Sequence, residues 1–166
     1  MKARSKRVLG FLLIGSSIGL GTSAYAQSEV SYMMTCYSAG SNAVEPVGDR
    51  PGHAFETGDY TCNVVGGPMD GAVETGTYVW EWDKTAISAL VNTGIDRKPG
   101  GMVVYQDSEG KATAILSDGK VTGFTGSGRG KILSSAGVAA NWSGRSYSYT
   151  FQSTGFNQFA VGIRIE

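Results

Sequence analysis

Histidine occurs once in this chain of 166 residues and cysteine twice, and each shortage removes a class of chemistry. A single histidine, His53, cannot by itself build the usual multi-histidine metal site. Cys36 and Cys62 lie too far apart in sequence for the C-x-x-C spacing of a redox or zinc pair. No G-x-S-x-G elbow, H-E-x-x-H helix or calcium-loop pattern occurs, so no metal and no cofactor is expected. No cluster of Lys and Arg is present, and long hydrophobic runs are confined to the first residues.

That beginning sets the charge balance. Lys2, Arg4, Lys6 and Arg7 precede an apolar run from Val8 to Leu20 and an Ala24-Tyr25-Ala26 site, the pattern of a secretory signal peptide over residues 1–26. The run is short and interrupted by glycine, so no stable membrane span is expected after cleavage. Four of the 14 basic residues and none of the 14 acidic ones fall in the leader, which leaves ten against 14 and a net charge of −4 on residues 27–166. A mildly acidic chain without a basic face has no means of gripping a phosphate backbone, which excludes nucleic acid as a partner. The expected destination is periplasmic or secreted. In an oxidising compartment Cys36 and Cys62 predict one disulfide, which in the chain-entropy picture stabilises the fold by ~3.5 kcal/mol, less any strain.

Residues 27–166 form one domain, with no linker or change of composition to divide them. Alternation dominates. Val30, Tyr32, Met34 and Cys36 share one parity, and Tyr60, Cys62 and Val64 form another short alternation. Tyr78, Trp80 and Trp82 oppose Val79, Glu81 and Asp83. Tyr147, Tyr149 and Phe151 oppose Ser146, Ser148, Thr150 and Gln152, and Phe159, Val161, Ile163 and Ile165 close the chain. Asp118-Gly119 predicts a tight hairpin turn. Asp107-Ser108-Glu109-Gly110 is expected to turn a second hairpin, Asn92–Gly101 to connect two elements, and Ser38–Gly58 to form a long surface loop. Lys84–Val91 fits neither period cleanly and reads as a helical turn or a strand, with strand favoured. Strands of this number without helical interludes predict an all-β, single-domain antiparallel barrel of eight or nine strands, with a β-sandwich as the alternative. The 25 glycines favour the barrel, since several interrupt strands where a wall must bend.

Three constellations could carry chemistry. Gly126-Ser127-Gly128-Arg129-Gly130-Lys131 has the glycines of a phosphate loop but lacks its spacing, has Ile132 where Ser or Thr should follow Lys131, and sits in no strand–helix unit, so it reads as a bent strand. His53 lies near Asp49, Arg50, Glu56 and Asp59, and an acid–base pair of Asp49 with His53 is conceivable. A polar loop histidine is ordinarily solvated, and His53→Ala is then expected to change stability by no more than about 0.5 kcal/mol. Tyr78, Trp80, Trp82, Trp142, Tyr147 and Tyr149 would either pack a core or line a ligand cavity, because an eight-stranded barrel is just wide enough for one small ligand. Asn141-Trp142-Ser143 matches the glycosylation sequon, but a strand-bound tryptophan suggests packing.

The glycine-rich stretch Thr122–Gly137, followed by Gly144–Phe151 and a last alternating strand, resembles the C-terminal half of allene oxide cyclase and dirigent-type barrels. Gly48-Asp49-Arg50-Pro51-Gly52-His53-Ala54, Trp80-Glu81-Trp82-Asp83 and Gly123–Gly130 resemble an uncharacterised group of secreted bacterial β-proteins with no established activity. The resemblance implies a barrel and no more, since no cyclase catalytic residue matches a position here. Two functions follow as expectations. One is a barrel that binds a small, partly apolar ligand or has a non-catalytic envelope role. The other is a cofactor-independent isomerase, cyclase or hydrolase at the barrel mouth, with His53 or Asp49 as base and Arg50 or Arg97 holding an anionic substrate.

Overall fold

A computed structural model of the protein describes residues 30–166; the expected leader, residues 1–26, lies outside them. The chain is an up-and-down meander of eight antiparallel strands: β1 (Val30–Pro46), β2 (His53–Val65), β3 (Val73–Asp83), β4 (Ala86–Lys98), β5 (Gly101–Ser117), β6 (Lys120–Gly137), β7 (Ser146–Gly155) and β8 (Gln158–Ile165). Each strand pairs with its neighbour in sequence, and β8 returns to β1 through the register Val30↔Ile165 to Tyr37↔Gln158. The barrel is therefore closed, which removes the unpaired edge a sandwich would keep. Among the described residues no helix is long and apolar enough to cross a membrane.

Three expected loops are strand instead. The segment 38–58 is mostly the end of β1 and the start of β2, with a register shift between Ala39 and Ala43, and only residues 47–52 connect them. Asn92–Gly101 continues β4 and leaves Pro99-Gly100 as the turn. Asp107–Gly110 is no turn: β5 runs through it, with a bulge between Asp107 and Glu109. Bulges also explain why Lys84–Val91 fits no period. Trp80 pairs with Ala89 while Val79 pairs with Val91, so the extra residue Leu90 shifts the inward positions of β4 from Ile87 and Ala89 to Asn92, Gly94 and Asp96. The turn at Asp118-Gly119 forms as expected, both residues having positive φ (50° and 74°).

Much of the glycine content is explained by aromatic rings on adjacent strands. Tyr60 pairs with Gly76, Tyr105 with Gly94, Tyr147 with Gly130, Tyr149 with Gly128 and Phe151 with Gly126. A Cβ on any of these glycines would overlap the partner ring. The rings thus lie flat along the wall over glycine, and Gly126–Gly130 is the track under Tyr147, Tyr149 and Phe151.

Cys36 and Cys62 face each other in the β1–β2 register, with Cα atoms 4.0 Å apart, and are disulfide-bonded and fully buried. One end of the barrel is filled. Residues 140–142 form a 3-10 turn between β6 and β7, rather than part of a strand, and insert Trp142 beside Tyr32 (ring centroids 6.2 Å apart, planes 7° apart). Met69, Ala139 and Ile165 complete this floor. Arg145 ties it to the last strand, its Nε donating to the Glu166 carbonyl at 2.7 Å and its Nη2 to that of Ile165 at 3.3 Å.

Candidate functional site

Above the floor the barrel holds a cavity of about 310 Å³, at the lower end of the roughly 300–1,000 Å³ range of small-molecule pockets. It reaches the end formed by the β5–β6 and β7–β8 turns, where Thr122, Phe156 and Gln158 border it. Phe156 stands 91% exposed at this mouth. Tyr78, Trp80, Tyr147 and Tyr149 line the cavity. Trp82 does not, but its Nε1 donates to Glu56 Oε2 at 2.9 Å. Trp142 lies in the floor, away from the cavity wall.

Four carboxyl side chains point into the barrel. Glu56 accepts from Trp82 through Oε2 and from the Tyr78 hydroxyl through Oε1, at 2.9 Å. Asp107, turned inward just before the β5 bulge, accepts from the hydroxyls of Tyr147 and Tyr149 and from Asn92 Nδ2 (2.8 Å). Burial raises its pKa, and these donors work against that rise by favouring the carboxylate. Burial and the nearby Asp107 push the two tyrosines' own pKa values up, so both stay hydroxyls.

Glu74 and Asp96 are direct partners across β3 and β4. Glu74 lines the cavity and touches the Tyr105 hydroxyl, which meets the Tyr60 hydroxyl at 2.7 Å; Tyr60 in turn bonds Asn92 Oδ1 at 2.8 Å. The hydrogens can be counted along this chain. The contacts Glu74–Tyr105, Tyr105–Tyr60 and Tyr60–Asn92 need one hydrogen each, and two phenols supply two. With Tyr105 donating to Glu74 and Tyr60 to Asn92, the chain is one hydrogen short, which a protonated Glu74 would supply. The electrostatics agree: burial first, and then Asp96, push Glu74 well above the usual carboxylate range. Asp96 is 1% exposed, and neither of its oxygens has a hydrogen-bond partner. Burial raises its pKa to about 6. Glu74 can bond it only when one of the pair carries a proton.

His53, Asp49, Arg50 and Arg97 lie elsewhere. His53 is not in a loop but opens β2, opposite Asp83, on the outward face it shares with Phe55. It is only 8% exposed. The 47–52 connection folds over it: Nδ1 meets Asp49 Oδ1 and, at 3.0 Å, Arg50 Nη1, while Nε2 meets Glu81 Oε1 at 3.0 Å. Arg50 also reaches Asp83, at 3.5 Å. His53 holds down Asp49, whose pKa is lowered chiefly by that hydrogen bond. Arg97 is exposed on the outer wall near the opposite end, between Val73 and Met102 in register. Arg50 and Arg97 are thus not brought together, and neither they nor His53 and Asp49 border the cavity. The expectation of a negligible His53→Ala effect gives way. Losing two hydrogen bonds to carboxylates at a buried position should cost about 2 kcal/mol, measured by urea unfolding at neutral pH.

Sequence reasoning missed Glu56, Glu74, Asn92, Asp96 and Asp107 as interior groups. Glu74 was detectable, since it shares parity with Tyr78 and Trp80 within one strand. The others fell in stretches read as loop. Among the described residues, no three His, Cys, Asp or Glu side chains are grouped so as to hold a metal ion. No known family model matches the chain, and no curated protein matches it.

Proposed function

We propose that the protein is an exported binding protein that holds one small, partly apolar molecule inside its barrel. The observation that carries this reading is the cavity itself: it is floored by Trp142 and Met69, open at the other end, and walled by aromatic rings with hydrogen-bonding groups at a few fixed points. A barrel selected only for stability would fill this space, as the floor does, because packed atoms stabilise and voids do not. The buried disulfide and the leader-like first residues favour a periplasmic or secreted setting. The enzymatic alternative placed His53 or Asp49 as base at the mouth, and both lie on the outer wall and do not border this cavity.

Trp80 reports on the proposal. It lines the cavity, its ring tilted against that of Tyr78 with centroids 4.5 Å apart. A ligand entering the barrel should change tryptophan fluorescence in a saturable way, and Trp80→Ala should weaken binding by about tenfold or more while the variant still folds. A flat titration across a broad panel of small apolar compounds would remove the proposal.

A further inference from the structure

Resting on that reading, we infer that the bound molecule carries a protonated primary amine, seated at the Glu74–Asp96 end of the cavity with its apolar body against the aromatic wall. Glu74, Asp96 and Asp107 are inward carboxyl groups with no basic side chain beside them among the described residues. Lys111, the basic residue along the cavity's border, turns its Nζ to Glu109 (3.6 Å) and is exposed. Arg145 is spent on backbone carbonyls in the floor, and His53 is outside.

Charge is half of the argument, and hydrogen-bond supply is the other half. The single proton that Glu74 carries is wanted twice, by the Tyr105–Tyr60–Asn92 chain and by Asp96. Whichever contact takes it, the other stays short of a donor. Asp96 lies between Glu74 and Val103, its partners on the two flanking strands, and both of those line the cavity. Asp96 itself does not border the cavity and acts on it through Glu74, which does. An ammonium group brings a positive charge and three donors, which is what this corner lacks. A carboxylate ligand would add like charge, and an alcohol would add one donor and no charge.

The experiment compares three probes of one shape, 2-phenylethylammonium, 2-phenylethanol and 3-phenylpropionate, by fluorescence and calorimetric titration of the protein. The ammonium should bind about tenfold or more tightly than the alcohol, and the carboxylate most weakly. Binding of the cation at pH 6 should release protons, seen as a dependence of the heat on the buffer, because a positive charge lowers the pKa of the carboxyls it meets. Tyr32, Tyr60 and Tyr105, the other titratable groups facing this pair from β1, β2 and β5, are held as hydroxyls by burial and cannot supply those protons. Glu74→Gln keeps the shape and should abolish most of the preference for the ammonium over the alcohol. Equal affinity for alcohol and ammonium, or a preference that survives in both Glu74→Gln and Asp96→Asn, overturns the inference and leaves the binding reading standing. Absence of binding by all three and by the wider apolar panel overturns both.

Discussion

Trp142→Ala should lower the stability of the barrel by ~3–5 kcal/mol, the range for deleting a large buried aromatic. Trp142 is 1% exposed and presented by a short 3-10 turn rather than by a strand. Its ring stacks on Tyr32 and, with Met69 and Ala139, fills the end of the barrel. Alanine would remove the ring from a place where the surrounding strands, locked in a closed ladder, cannot move in to fill the space. The loss would be a third or more of a typical domain stability of roughly 5–15 kcal/mol. Urea unfolding of the variant measures it, and a loss below about 1 kcal/mol would contradict the account of the floor. Trp80→Ala provides the contrast, since Trp80 already borders empty space and its removal deepens a cavity rather than creating one.

Asp96→Asn should stabilise the protein by about 3 kcal/mol at pH 7 and by almost nothing at pH 4. Asp96 titrates at about 6 in the fold, against roughly 3.9 in an unfolded chain. Between those values the folded state holds the proton more tightly, so the stability this group lends is complete below pH 4, declines through the window from 4 to 6, and is lost above it. Two pH units correspond to about 3 kcal/mol at 1.36 kcal/mol each. Glu74 and Asp107 shift in the same direction, so the wild-type protein should lose stability as pH rises across this range. Asparagine has no charge to desolvate, and its amide can donate to Glu74. Chemical denaturation of both proteins at pH 4, 5, 6 and 7 tests the claim through the difference between the two curves. A constant difference across that range would show that Asp96 is not the titrating group. A residue held at such a cost is an expected mark of a binding site, where natural chains give up stability.

Local patterns carried much of the fold. The two-residue period of Ser146–Gln152 and of Val73–Asp83 names strands and tells which face is inward, because alternation is a property of the extended backbone and needs no partner. Asp118-Gly119 names its turn for the same local reason, as both residues tolerate positive φ. The disulfide pairing needed only that there be two cysteines and an oxidising setting.

The candidate site was much less legible. Asn92 and Asp96 sit beyond the bulge at Leu90, which reverses the inward parity of β4, and Asp107 sits at a second bulge that does the same to β5. A bulge is a mismatch between two strands, so neither strand's sequence alone displays it. Polar and glycine-rich stretches there looked like loops because their strand character comes from neighbours on both sides of a closed sheet. His53 has the composition of a loop around it and is nevertheless buried, since the 47–52 connection folds back over the outer wall. The sequence by itself determined an all-β, alternating, cross-linked chain with its aromatic faces assigned. Only the tertiary structure decided that the ring closes, that one end is filled and the other hollow, and that four carboxyl groups share the interior, because each depends on the register between strands distant in sequence.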